Sequence, residues 1–147
     1  MADVYEIHPI DFEASLDVSA CYCEWQGQFL FLKRCERKSQ GGLWCVPAGK
    51  REKEESVIET ALRELHEETG IIATKNLLSP IRILYVELPH VCFNYHMYHL
   101  VIPAKPTIVL DHDEHVDSCW LSLEEASRLP LVAGEKESLK FVTPRHR

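Results

Sequence analysis

The chain has 147 residues, 46% of them apolar and 27% charged, which suits one compact globular domain and excludes collagen-like, disulfide-dependent and disordered classes. Sixteen Lys and Arg stand against 23 Asp and Glu, a net charge of −7, the wrong sign for a protein that grips a nucleic-acid polymer. No apolar run reaches the roughly 18 residues of a membrane span. The first nine residues carry neither a basic segment nor an apolar core of a secretory leader, and no CxxC pair occurs, so a cytoplasmic protein with its six cysteines as free thiols is expected.

Residues 18–25 and 29–34 are apolar runs on either side of a turn containing Gln26-Gly27 and predict a β-hairpin. Residues 35–42 are polar and basic and end in Gly41-Gly42, which predicts an exposed loop. A short third strand follows at 43–46, stopped by Pro47. From Glu55 the period changes. Ser56 with Glu59 makes a capping-box signature, and Gly70 falls where a left-handed cap belongs, so one helix is predicted over 57–69. It places Ile58, Ala61, Leu62 and Leu65 on one face, ready to pack on a sheet. Residues 81–88 and 91–102 read as strands separated at Pro89, residues 117–121 as a further strand, and 123–129 and 135–142 as closing helices. Strands, helix, strands and helices without regular βαβ alternation predict a mixed α/β layered fold.

The polar face of the central helix carries Glu64, Glu67 and Glu68 at i, i+3 and i+4, so the three carboxylates share an arc of about 100°. Like charges at this spacing oppose helix formation, and at helical spacing only Glu67 finds a cation, Arg63. Such a face is either solvated or a set of hard oxygen ligands for Mg²⁺ or Mn²⁺.

The surrounding residues bear on that choice. Gly49 is followed by Glu55, then Arg63-Glu64-Leu65, Glu67-Glu68 and Gly70-Ile71. In spacing and identity this resembles the complete signature motif of the Nudix hydrolases. Less specifically, residues 29–34 and 42–47 resemble the strands that precede that motif, and Glu114-His115, Trp120-Leu121 and Glu124-Glu125 resemble the family's usual ending. The resemblance implies an α/β/α sandwich with a mixed sheet and a loop-helix-loop motif. It further implies metal-dependent hydrolysis of a nucleoside diphosphate linked to another group, with a nucleoside triphosphate as the first choice of substrate. Dinucleoside polyphosphates and nucleotide sugars are the alternatives, as is a non-catalytic nucleotide sensor on the same fold. Loss of a motif acid would favour the sensor, and none is lost.

The implied roles fit the chemistry. A pyrophosphate bridge repels anionic nucleophiles until divalent cations neutralise its oxygens and acidify a water. By resemblance Glu64, Glu67 and Glu68 hold Mg²⁺ or Mn²⁺, Glu64 also serves as base, and Arg63 orients the cluster by reaching Glu67 and Glu55. Ala48 stands where many members have glycine and would offer its carbonyl to the metal, while Gly49 is expected to permit a backbone turn. Glu114 is the chosen acid from outside the motif, with Asp111, Asp113 and Asp117 as competitors. Arg34 and Lys50 are the candidate phosphate-binding cations, beside Gly49. Tyr85, Phe93, Tyr95, Tyr98 and Trp44 are the candidate ring platforms, with Phe93 and Tyr95 on one face of their strand and Tyr98 on the other. His96 and His99 point to opposite faces and do not form a zinc pair. The expected partner is a small nucleotide; a homodimer is left open.

Overall fold

The predicted hairpin forms from strands β2 (Leu16–Trp25) and β3 (Gln28–Arg34). Gln26 and Gly27 between them both have positive φ, 49° and 78°, the hand of turn that follows the strand twist. The structure, a computed structural model, describes residues 2–145. The remaining strands are β1 (Asp3–Tyr5), β4 (Trp44–Cys45), β5 (Ala48–Lys50), β6 (Ser79–Glu87), β7 (Cys92–Val101) and β8 (His115–Leu121). Helix α1 (Val57–Thr69) follows β5, a 3₁₀ turn (Lys75–Leu77) precedes β6, and α2 (Leu123–Ala126) and α3 (Glu135–Leu139) follow β8.

The strands make one sheet in the order β1-β6-β7-β2-β3-β4, with β5 on the first half of β2 and β8 on β3. The β2–β7 pairing is parallel and the others are antiparallel, so the sheet is mixed as expected. Alternation along the strands sorts the core into two layers. Ala20, Tyr22, Phe29, Phe31 and Met97 face the side covered by Ala126 of α2 and Leu139 of α3. Cys21, Cys23, Leu30 and Leu32 face the other side, where α1 lays down Ala61 and Leu65 with Ile58 and Leu62 packed at its margin. Each fully buried leucine or phenylalanine here contributes about 1.5–3 kcal/mol. This is an α/β/α sandwich.

Helix α1 has the predicted bounds because its stop signals are local. Ser56 Oγ accepts from Glu59 N at 3.2 Å, and Glu59 Oε1 accepts from Ser56 N at 2.8 Å. Gly70, at φ 80°, ends it with its N–H on His66 O. Ser19 Oγ donates to Val57 O at 2.6 Å and so fixes the first turn to β2.

The closing helices are shorter than the 123–129 and 135–142 expected. In both, the last residues switch to i→i+3 bonding, with Leu129 N on Ala126 O and Val142 N on Leu139 O. The predicted segments are present as helix plus tight turns, the first tightening just before Pro130. Strands β1 and β5 were not anticipated: each has only three residues, too few to show a period. The six cysteines are free thiols, as expected. Among the described residues no helix is long and apolar enough to cross a membrane.

Candidate active site

The acidic face of α1 lies against β5, and burial deepens along it. The Glu67 side chain is 53% exposed, the Glu64 side chain 15%, and Glu68 8%. Glu68 Oε1 accepts a hydrogen bond from Ala48 N at 3.3 Å. Burial, reinforced by the negative charge of Glu64, pushes the Glu68 carboxyl well above the usual carboxylate range. Burial likewise pushes Glu64 up to about 7, with Glu67 and Glu114 adding to the rise and Arg63 opposing it.

Gly49 has a different reason from the one expected. Its φ is not positive, and it sits in β5 paired with Ser19. What excludes a side chain is volume: a Cβ there would lie 1.3 Å from Glu64 Oε2 and 2.1 Å from Glu64 Cδ. The glycine is the cradle in which the Glu64 carboxylate rests. Ala48 also avoids positive φ, as a carbonyl donor at that position requires.

Arg63 ties the motif together. Its Nε and Nη2 form a fork on Glu55 Oε2 and Oε1 at 2.8 and 2.9 Å, Nη2 also donates to Lys50 O at 3.0 Å, and Nη1 donates to Glu67 Oε1 at 3.2 Å. Nη1 lies 3.4 Å from Glu64 Oε1 as well, so Glu64 does have a cation beside it, supplied by its immediate neighbour rather than at helical spacing. The Arg63 fork holds Glu55 down at about 2.

Among the described residues no three acidic, imidazole or thiol groups converge on one point. Uncompensated carboxylates repel, and here Glu67 turns to Arg63 while Glu114 pairs with Lys38 at 3.2 Å. Glu114 is nonetheless near enough to raise both Glu64 and Glu68. Of its competitors, Asp113 faces Arg37 at 3.7 Å and is 90% exposed. A half-buried and a buried carboxyl, the deeper one held by a single neutral N–H, are a donor set that suits a hard divalent cation.

Beside this edge opens a cavity of about 410 Å³. Ala48, Gly49 and Lys50 line it, and so does Arg34, whose Nε donates to Ser39 O at 2.8 Å. Of the candidate aromatics, Phe93 and Tyr95 line the cavity. Tyr85 lines a separate groove with His8 and Phe12, Tyr98 belongs to the core beneath α1, and Trp44 packs on the opposite core layer. His96 and His99 do point to opposite faces, where His96 meets Asp17 and His99 meets Glu24.

Three residues of this cavity were missed. Glu135, buried at 4% exposure, accepts from Tyr22 Oη at 2.6 Å and lies 67 residues or more from every motif acid in sequence. Cys45 and His115 are buried side by side, Sγ to Nε2 at 3.6 Å, and His115 Nδ1 has no partner among the described residues. No periodic signal joins these positions; only the packing of β4, β8 and α3 around one space does.

A family model for the NUDIX domain matches residues 15–142. The chain belongs to the Nudix hydrolase family. The chain is 35% identical to the phosphatase NudJ of Escherichia coli K12, over 78% of its own length and 76% of that protein's. The MutT protein of Methanosarcina mazei Go1 superposes with a TM-score of 0.74 at 25% identity, covering 85% of this chain and 90% of that one. The E. coli ORF135 protein superposes at 0.70 with 30% identity, covering 85% and 86%. This Nudix chain is thus an enzyme of a family that hydrolyses nucleoside diphosphate derivatives.

Proposed function

We propose that this Nudix enzyme is a nucleoside triphosphate pyrophosphohydrolase acting with Mg²⁺ or Mn²⁺. The observation that carries the reading is the pair of carboxyls, half-buried Glu64 and buried Glu68, packed against β5, whose Ala48, Gly49 and Lys50 line a cavity of nucleoside size. Glu64, Glu67 and Glu68, with the Ala48 carbonyl and Glu114, would hold the cation. When bound, that cation neutralises the phosphate oxygens and lowers the pKa of a nearby water.

The chain's own groups account for the rest. Gly49 leaves room for Glu64 beside the phosphates, and Glu64 Oε takes the proton as water oxygen bonds to phosphorus. The P–O bond bridging the α- and β-phosphorus breaks, its electron pair leaves on the oxygen of the departing group, and the products are a nucleoside monophosphate and pyrophosphate. Arg63 keeps Glu64 and Glu67 in place through its fork on Glu55, and Arg34 and Lys50 offset charge on phosphates that the cation does not reach. The tightness of the Glu64 cradle matters because proton transfer requires hydrogen-bond reach.

The test is a panel of nucleoside triphosphates, dinucleoside polyphosphates and nucleotide sugars incubated with Mg²⁺ or Mn²⁺, scoring phosphate and pyrophosphate separately. Pyrophosphate from triphosphates is expected, with kcat roughly 10²–10⁴-fold lower in Glu64→Gln and Glu68→Gln. Phosphate alone would instead place the enzyme with its phosphatase relative. Full activity in both variants overturns the assigned site, and nucleotide binding without any turnover favours the sensor.

A further inference from the structure

The acid that Glu114 brings to the edge of the site already has a partner. Lys38 Nζ lies 3.2 Å from Glu114 Oε1, and the two side chains are 39% and 42% exposed. Lys38 belongs to the loop between β3 and β4, and the next two residues of that loop, Ser39 and Gln40, line the cavity beside β5. The loop is fixed at three points. Cys35 N donates to Glu114 O at 2.8 Å, Lys38 N donates to Cys35 O at 3.0 Å, and Gln40 Oε1 accepts from Ala133 N, another cavity residue, at 2.7 Å. Lys38 therefore carries its ammonium on a held backbone, in a stretch of chain that touches both the acids and the cavity.

The cation already within the motif is engaged elsewhere, since Arg63 forks on Glu55 and reaches the Lys50 carbonyl. Lys38 is held among the described residues by one half-exposed ion pair, a contact that contributes little to stability and exchanges readily. Glu114 is also near enough to Glu64 and Glu68 to raise both, which places the Lys38 ammonium beside the acids. One carboxylate does not serve two cations well: an ammonium at 3.2 Å and a divalent ion on the same group repel each other at close range. The divalent ion has twice the charge and Glu64 and Glu68 to bind as well, so the ammonium is the one displaced. A displaced lysine takes the nearest anion. In a loaded site that anion is the phosphate chain, which runs between the cavity and the acids.

Resting on the nucleotide-hydrolase reading above, we propose that Lys38 is handed from Glu114 to the substrate phosphates when the divalent cation binds. It covers the acid in the metal-free enzyme and binds substrate in the loaded one. The backbone stays where Cys35 holds it, and only the side chain turns. A lysine suits this exchange because it is a point charge on a flexible stem, whereas an arginine would keep a planar fork on the carboxylate. Metal and nucleotide then support each other: the ion frees the ammonium that the nucleotide uses, and by linkage the nucleotide tightens the ion.

Calorimetry on the full chain tests this without turnover, first with Mn²⁺ alone and then, at saturating Mn²⁺, with a nucleoside triphosphate whose α,β-bridge is a methylene group. Lys38→Met is expected to bind Mn²⁺ at least about threefold more tightly than wild type, because no ammonium competes for Glu114, and the analogue at least about fivefold more weakly. Arg37→Met is the control. It removes the same charge from the same loop, but its partner Asp113 is 90% exposed at 3.7 Å, so both affinities should stay within about twofold of wild type. Opposite shifts confined to Lys38→Met support the exchange. Unchanged Mn²⁺ affinity in Lys38→Met, unchanged analogue affinity, or equal shifts in Arg37→Met overturns it. Triphosphate turnover by wild type is scored in parallel. Turnover without the Lys38-specific shifts sinks the exchange alone, and those shifts without turnover uphold the exchange and sink the hydrolytic reading. A wild type that binds no Mn²⁺ overturns both.

Discussion

Gly49 is required for its volume. With Glu64 Oε2 1.3 Å from where a Cβ would stand, Gly49→Ala leaves the backbone undisturbed and forces Glu64 into another rotamer. The expected outcome is a kcat lower by roughly 10²-fold or more, with a melting temperature within a few degrees of wild type. A Gly49→Ala enzyme of normal kcat would show that Glu64 is not needed where it now lies. Arg63 shows the complementary case, in which charge and shape decide. Its fork spans Glu55 while another nitrogen reaches Glu67, a pattern that a lysine cannot reproduce. The partnership of Arg63 with Glu67 was legible in the sequence, because one helical turn separates them, and Glu55, just before the helix start, lay within the longer reach of the guanidinium. The cradle was not legible, since residues 49 and 64 meet only when β5 pairs with β2 and α1 crosses it.

At the scale of elements, α1 was readable to its last residue, because the instructions for it are local. Apolar positions recur at helical spacing, Ser56 and Glu59 cap each other, and Gly70 adopts the left-handed conformation that stops it. The capping box serves stability more than chemistry. Ser56→Ala removes one acceptor and leaves the Glu59 N–H without its side-chain partner, a cost of about 1 kcal/mol, so a melting temperature lower by roughly 2–6 °C is expected. Turnover at 25 °C should be unchanged, because Glu55 still grips Arg63 and Ser19 still holds the first turn at Val57. A large fall in kcat with the fold intact would mean that the cap positions the acids. β1 and β5 escaped the sequence reading for the opposite reason: three-residue strands carry no period, and only a neighbouring strand defines them.

For the whole molecule, the buried Glu135 links stability to pH. Its carboxyl stands at about 7 in the folded protein against 4.5 as an ordinary glutamate. A raised acid favours the folded state fully below its unfolded value and loses that contribution as pH rises through about 7. Relative to Glu135→Leu, wild type should therefore lose on the order of 2–3 kcal/mol of stability between pH 4.5 and pH 8. Urea unfolding of the two proteins across that range measures the difference directly, and a gap that does not change with pH would remove Glu135 as a buried titrating group. The sequence by itself determined the family, the central helix, the hairpin and the acidic face, because each is written in short-range spacing that hydrogen bonding and side-chain periodicity convert directly into structure. Only the tertiary structure decided that Gly49 cradles Glu64, that Glu114 lies near enough to raise Glu64 and Glu68, and that Glu135 closes the cavity against Tyr22 and Tyr95. Those residues lie far apart along the chain and meet only through strand order, register and the packing of helices on both faces of the sheet, which no local pattern encodes.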